Sequence, residues 1–234
     1  MNNISKNIEA FKKNGFTIFN NFLLEEDVEN LKLMLVSGYK TTLNEKINEN
    51  NISEYILKFE EEERFDELYH SFKQIRTSES FITIGDKLNT FYQDNFHKKS
   101  KLINTGYAIG IKDAKRTSYD WHQEKPYYKD TNTIHFQFPI LYPCVKDNGT
   151  MSVLEGSQKL GYIEDVVNVK IHDKSVNTLV PRGIESFKKT YTEKYLNMSL
   201  RDVGLFDQNI IHKSNRNFTN KVRFAGIVRL EIMH

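Results

Sequence analysis

His122 and Glu124 stand two residues apart. In an extended segment side chains alternate with a period of two, so both would point to the same side of the backbone. One short piece of chain can therefore supply two ligands of one metal ion. His212 lies ninety residues further on, and if the chain folds it back onto the same centre, two imidazoles and a carboxylate occupy one face of the ion. That is the 2-His-1-carboxylate facial triad, which leaves coordination positions open and suits non-haem Fe(II) oxygenases. The spacing decides nothing by itself. With 7 His and 31 acidic residues in 234, about one His-x-Asp/Glu arises by chance.

The surroundings carry more weight. After Trp121-His122-Gln123-Glu124 come Lys146-Asp147-Asn148-Gly149-Thr150-Met151 and Leu154-Glu155-Gly156-Ser157-Gln158-Lys159. Near the end stand Gly204-Leu205-Phe206-Asp207, then His212-Lys213-Ser214, then Arg223, eleven residues after the distal His. In these pieces, their order and both late spacings, the chain resembles the phytanoyl-CoA dioxygenase family of Fe(II)- and 2-oxoglutarate-dependent oxygenases. Phe11 to Ile18 and Asn21-Phe22-Leu23 resemble that family's usual start, so the similarity runs over nearly the whole chain. It departs at Glu124, where the family usually has Asp, and at Gln158, where His is common. Glu reaches one methylene further, which local backbone can absorb at a metal–oxygen distance of about 2 Å.

The resemblance implies a mainly β fold with flanking helices, a double-stranded β-helix (jelly-roll, cupin-like) barrel. It implies Fe(II) held by His122, Glu124 and His212, with 2-oxoglutarate as cosubstrate and O2 as oxidant. The expected outcome is hydroxylation of a small molecule with release of succinate and CO2. A carboxylate at 124 argues against the halogenating variant of the family, in which a small residue stands there. Ser214 matches a hydroxyl that would bind the distal carboxylate of 2-oxoglutarate.

Arg223 bears on the same point through its strand. From Val222 to Ile232 the chain reads as a long last strand in which Arg223, Ile227 and Arg229 share one parity while Phe224, Val228 and Leu230 share the other. One face is apolar and the other carries two arginines. An unpaired charge buried in a barrel costs several kcal/mol. The 2-oxoglutarate carboxylate is the expected partner for Arg223, because a guanidinium fork matches a carboxylate in bidentate fashion. An internal salt bridge is the competing reading, and for Arg229 it leads. Gln123 faces away from the ligands on either side of it, where it either contacts cosubstrate or supports the turn. Trp121, Lys125, Tyr127, Tyr128 and Tyr107 are the candidates for lining a substrate pocket.

The rest of the chain bounds the class. At 234 residues it suits a single domain, 1–234, with a helical front end over about 1–100 and a barrel core over about 101–234. Such a chain buries roughly 70% of its unfolded surface. With 33 basic and 31 acidic residues there is no nucleic-acid or membrane-surface footprint. The single cysteine, Cys144, lies in an apolar run and reads as a buried structural thiol, in keeping with a reducing cytoplasm. No stretch has the apolar length of a membrane span, and the first twenty residues lack a signal-peptide core.

Helices are expected over Ser5 to Asn14, Glu25 to Val36 and Ser80 to Asn95, with a loop over 37–53 and a solvated charge run at Glu60 to Glu63. Strands are expected at Phe16 to Phe19, Ile103 to Ile111, Ile134 to Phe138 and Val203 to Phe206, with a tight hairpin turn at Asp147-Asn148-Gly149. His135 reads as the solvent-facing side of a half-buried strand, and His70, His97 and His172 as surface residues. Two other classes fit part of the pattern. One is a cupin-like isomerase or epimerase using His as a base, which leaves Ser214 and Arg223 unexplained. The other is a catalytically silent barrel serving as a binding module. Neither substrate identity nor oligomeric state is written in these residues.

Overall fold

The computed structural model describes residues 3–43, 46–114, 117–170 and 177–233. Five helices precede the main run of strands: α1 (Asn3–Asn14), α2 (Glu25–Leu43), α3 (Ile52–Glu61), α4 (Tyr69–Arg76) and α5 (Glu79–Phe96). Their ends follow from local chemistry. The α5 N-terminus is capped by Ser78, whose hydroxyl accepts from Phe81 N–H, and the helix stops at His97 in the left-handed conformation (φ 53°). Three acidic residues occupy the first turn of α2, where the helix dipole favours them.

The strands form a large antiparallel sheet against a small one. The large sheet has the order β1 (Phe16–Phe19), β8 (Val203–Asp207), β3 (Thr133–Pro139), β10 (Arg223–Ile232), β2 (Ser100–Gly110). The small one has the order β7 (Glu193–Tyr195), β4 (Met151–Leu154), β9 (His212–Ser214). A two-stranded ribbon, β5 (Val166–Lys170) with β6 (Asn177–Pro181), leads to the short helix α6 (Ile184–Thr190). This is the jelly-roll architecture with flanking helices.

Each face of the large sheet has its own cover. Leu31 and Leu35 of α2 and Ile84 and Leu88 of α5 pack with Phe136, Phe138, Phe224, Val228 and Leu230 on the outer face. On the inner face, Phe206 and Ala225 join Met151 and Val153 of the small sheet in a second cluster. Residues of opposite parity on β3 and β10 thus enter different environments, one greasy and one shared with the site.

Several expectations need correction. The helix expected to end at Val36 continues to Leu43, and the stretch read as loop over 37–53 is largely helical at both ends. Tyr39, fully buried, explains the extension, because that turn still packs on the core. The β3 strand is buried at every position rather than on one face. Gly149 does adopt φ 81° in a turn, but that turn leads from β3 of the large sheet to β4 of the small one and closes no hairpin. His97 is exposed as expected; His172 and the side chain of His70 lie outside the described residues.

One glycine on β10 is dictated by packing. A Cβ at Gly226 would collide with Cε2 of its cross-strand partner Phe138, a fully buried ring with no room to retreat. Gly226→Ala is expected to destabilise the protein by about 1–3 kcal/mol through overpacking. The check is the urea unfolding midpoint, and a variant as stable as the parent would contradict this packing.

Candidate metal centre

The centre is built on a backbone contact. His122 N–H donates to His212 C=O at 2.8 Å and His212 N–H returns to His122 C=O at 2.9 Å, an antiparallel bridge that sets the imidazoles side by side with ring centroids 4.2 Å apart. Glu124 follows two residues on, its N–H donating to Gln208 C=O at 3.0 Å. One donor atom from each of His122, Glu124 and His212 then lies within 4.8 Å of the others. Glu124 Oε1 is 3.5 Å from His212 Nε2 and 4.0 Å from His122 Nε2.

The tautomers follow from the partners. Nδ1 of His122 lies 2.6 Å from Asp120 C=O and Nδ1 of His212 lies 3.1 Å from Ile210 C=O. A carbonyl only accepts, so both Nδ1 atoms carry the proton and both Nε2 lone pairs face the shared centre. The local sequence secures this arrangement. Ser157 Oγ accepts from Ile211 N–H at 2.9 Å, pinning the residue before His212. Gly156 turns the chain there with φ 85°.

Two groups lie on the far side of the carboxylate. Glu124 Oε2 is 3.8 Å from Arg229 Nε and 4.0 Å from His135 Nδ1. His135 is fully buried, stacked on Phe206 at 5.3 Å, and not solvent-facing as its strand pattern predicts. Its Nε2 is 2.8 Å from Thr133 Oγ, whose hydroxyl reaches Gln208 Oε1 at 3.0 Å. The hydroxyl proton goes to the amide oxygen, so His135 Nε2 carries a proton. His135 Nδ1 has no hydrogen-bond partner.

Electrostatics follow burial. Desolvation, reinforced by neighbouring His212, pushes the His122 imidazole down to about 4. Desolvation likewise takes His135 to about 3. Burial works to raise the Glu124 carboxyl, but Arg229, His135 and His212 outweigh it and hold the group well below the usual carboxylate range.

Arg223 lies at the other end of the inner face. It is fully buried, its Nε and Nη2 have no hydrogen-bond partner, and among the described residues no carboxylate pairs with it. Its cross-strand partner is Gly110, where a Cβ would come within 2.9 Å of the guanidinium Nε. Cys144 is its other neighbour; burial pushes that thiol up to about 11 and pulls the guanidinium down. Gly110 leaves the space that the Arg223 side chain occupies, and a buried guanidinium whose Nε and Nη2 are unpaired fits a carboxylate ligand. Ser214, half-buried on β9, shares strand parity with His212.

Other candidates sit elsewhere. Gln123 donates to Gly161 and Asn209 carbonyls at 2.8 and 2.6 Å and accepts from Ile163 N–H at 3.0 Å, so its amide ties three backbone segments together. Trp121 is buried with Leu154 and Ile211, its ring under Lys213 Nζ at 4.5 Å. Lys125 donates to Thr131 C=O at 2.8 Å. Tyr107 points to the helix side, sharing a hydroxyl contact of 3.1 Å with Tyr39. Tyr127 and Tyr128 do flank the centre, with rings 6.2 Å from His122 and 5.9 Å from His135 respectively. Gln158 reaches Lys13 C=O at 3.2 Å over Gly15, so the departure from His at this position falls outside the triad. His135 and Arg229 are the site residues that pattern reading undervalued. The usable signal was shared parity with Gln137 and Arg223, once the arginine face is taken as the inner one.

A family model described as phytanoyl-CoA dioxygenase (PhyH) matches residues 11–225. No curated protein matches the chain. Among solved structures, AviO1 from Streptomyces viridochromogenes Tue57 superposes with a TM-score of 0.60 at 12% identity, over 99% of this chain and 96% of that one. EctD from S. alaskensis, with 2-oxoglutarate and 5-hydroxyectoine, gives 0.62 at 14% identity over 97% and 75%. The non-heme alpha ketoglutarate dependent epimerase SnoN from nogalamycin biosynthesis gives 0.61 at 9% identity over 97% and 81%. At these identities the likeness is one of fold.

The depressed imidazoles set a pH dependence. Unfolded histidine takes up a proton near 6.5, before His122 at about 4 or His135 at about 3 does so in the folded protein. Their contribution to stability is therefore present above about 6.5 and lost as pH falls toward 4, and the depressed Glu124 carboxyl adds loss in the same direction below its usual value. The thermal midpoint of the metal-free protein should fall between about pH 7 and 5, and less so in His135→Gln. A midpoint flat across that window would contradict the burial of these rings as neutral groups.

Proposed function

The chain belongs to the phytanoyl-CoA dioxygenase family, and from that premise we propose that it is an Fe(II)- and 2-oxoglutarate-dependent oxygenase that hydroxylates a small molecule. The observation that carries the reading is the pairing, on one inner face, of an open His122–Glu124–His212 set with the buried, unfilled fork of Arg223. A silent barrel has no reason to keep a cation desolvated with a thiol beside it and no counter-charge, since that costs several kcal/mol. A His-based isomerase has no use for it either.

His122, Glu124 and His212 hold the iron. Arg223 takes the distal carboxylate of 2-oxoglutarate through its planar fork, and Ser214 adds a hydroxyl on the same side. Gln123 keeps the ligand loop against the backbone at 161–163 and 209. When bound, the iron and its cosubstrate supply oxidation by O2 with release of succinate and CO2. The protein orients the substrate beneath Tyr127 and Tyr128 and keeps water from the reacting side. Hydroxylation adds one oxygen atom to the substrate. SnoN is described as an epimerase and a further structure of like fold, SnoK, as a carbocyclase, so product mass separates these outcomes.

Anaerobic addition of Fe(II) and 2-oxoglutarate to the metal-free protein should produce the weak visible charge-transfer band of a chelated 2-oxo acid. His122→Ala should abolish it. Arg223→Leu should raise the 2-oxoglutarate concentration needed by about 100-fold, the scale of losing one buried bidentate charge contact. A wild-type protein that shows no band at saturating iron is not this enzyme.

A further inference from the structure

Among the described residues, Arg229 is an interior cation beside the centre to which the proposed function gives no ligand. It shares strand parity with Arg223 and stands six residues nearer the open end of β10. Along that strand the outer-face residues Val228 and Leu230 stay buried while Ile227, Arg229 and Glu231 become half-exposed. Opposite them on β2, Gly106 is half-exposed and Asn104 and Lys101 are exposed, and a Cβ at Gly106 would meet nothing closer than 3.8 Å. The inner space is therefore closed at Arg223 and open toward Arg229.

The surroundings of Arg229 supply charge but no hydrogen bond. Its Nε is buried, without a partner, and 3.8 Å from Glu124 Oε2, beyond hydrogen-bond range. Glu231, the next acid on the same face, pairs at 2.9 Å with Lys101 instead. Tyr128 lies alongside, its ring centre 5.8 Å from the guanidinium carbon. Lys125 is turned to Thr131 C=O and Lys213 to Glu193, so neither adds charge at this point.

The charges at the loaded centre then decide what is missing, resting here on the iron and 2-oxoglutarate reading. The two coordinating imidazoles are neutral, with Nδ1 protonated and Nε2 free. Ferrous iron and the 2-oxoglutarate dianion cancel, and Glu124 cancels one of the two arginines. One positive charge remains in a largely desolvated interior, on the residue nearest the opening. Buried charge without a counter-charge is unfavourable, and a substrate bearing one negative charge restores the balance. The fork geometry and the count of one both favour a carboxylate over a polyanion.

From this we infer that Arg229, flanked by Tyr128, is the anchor for a carboxylate on the substrate, so that the enzyme acts on a small organic acid held by its carboxylate at the mouth of the centre.

Matched probes test this on the anaerobic Fe(II)–2-oxoglutarate protein: butyrate against butyramide, and benzoate against benzamide. Binding is followed by calorimetry and by perturbation of the charge-transfer band, whose persistence shows that the cosubstrate has not been displaced. Each acid should bind at least about tenfold more tightly than its amide. Arg229→Lys, which keeps the charge beside Glu124, should keep the band and part of that preference; Arg229→Gln, with Fe(II) raised until its band matches wild type, should erase it. Equal affinities in the wild type, no detectable preference up to millimolar probe, or a preference that survives Arg229→Gln overturns the inference. If wild type shows no acid preference and Arg229→Gln loses the band while Arg229→Lys restores it, Arg229 serves only to position Glu124. A wild-type protein with no band at all removes the iron reading and this one with it.

Discussion

The reciprocal hydrogen bonds between the His122 and His212 backbones are the constraint on which the site depends. Two segments ninety residues apart are joined there as a single pair of an antiparallel ladder, outside any regular strand on the His122 side. A ladder pair fixes the relative position of two Cα atoms far better than side-chain contacts do. Once it forms, the two rings lie side by side, and Glu124, two residues along at the start of a 3-10 turn over Lys125–Tyr127, joins them. The neighbouring interactions all protect that pair. Ser157 holds Ile211, Gln208 C=O receives the N–H groups of Glu124 and Lys125, and Gln123 clamps the reverse side. These are supports of the kind that keep metal ligands oriented before any metal arrives.

A second constraint is the division of labour across the large sheet. Its outer face meets the α2 and α5 helices and supplies most of the hydrophobic core, while its inner face keeps small residues on β2 and polar ones on β3 and β10. Gly110 makes way for the Arg223 side chain, and at Gly106, nearer the mouth, a Cβ would meet nothing closer than 3.8 Å. Stability and function are thus written on alternate residues of the same strands. That separation lets Phe138, Val228 and Leu230 hold the fold while Gln137, Arg223 and Arg229 stay free of packing duty.

Much of this was legible in the chain because it depends on parity and short spacing. The His122-x-Glu124 pair and the two faces of β10 follow from a period of two, while the Ser214 and Arg223 offsets came from the family resemblance. What sequence could not reveal was which face of a strand meets what. In β3 the alternation of Ile134, Phe136 and Phe138 with His135 and Gln137 looked like core against solvent, yet both sides are buried because a second sheet covers the polar one. Trp121 went the other way. Proximity to His122 suggested a pocket, but adjacent residues on an extended segment face opposite sides, so a neighbour of a ligand is turned from the centre. Tyr107 fails as a pocket residue for the same reason, since its parity on β2 places it with Phe72 and Phe224 under the helices. The α2 extension past Val36 escaped notice because its polar stretch carries a single large anchor, Tyr39.

The departure at Glu124 gains a physical account from the same geometry. A longer carboxylate has an added rotatable bond, and freedom in that bond would blur the placement of a ligand. Here the two oxygens face different partners: Oε1 the His122 and His212 Nε2 atoms, Oε2 the Arg229 and His135 side chains. Arg229 draws Oε2 outward, which orients the group and keeps it ionised in a buried setting. The Thr133–Gln208 relay orients His135 in turn, and Gln208 C=O also receives the Glu124 N–H. Gln208 therefore holds Glu124 at its backbone and, through Thr133, holds the imidazole that lies 4.0 Å from the carboxylate tip. In a chain with Asp at 124 the carboxylate would stop one methylene short of Arg229. The longer ligand and the arginine at the mouth belong to one arrangement.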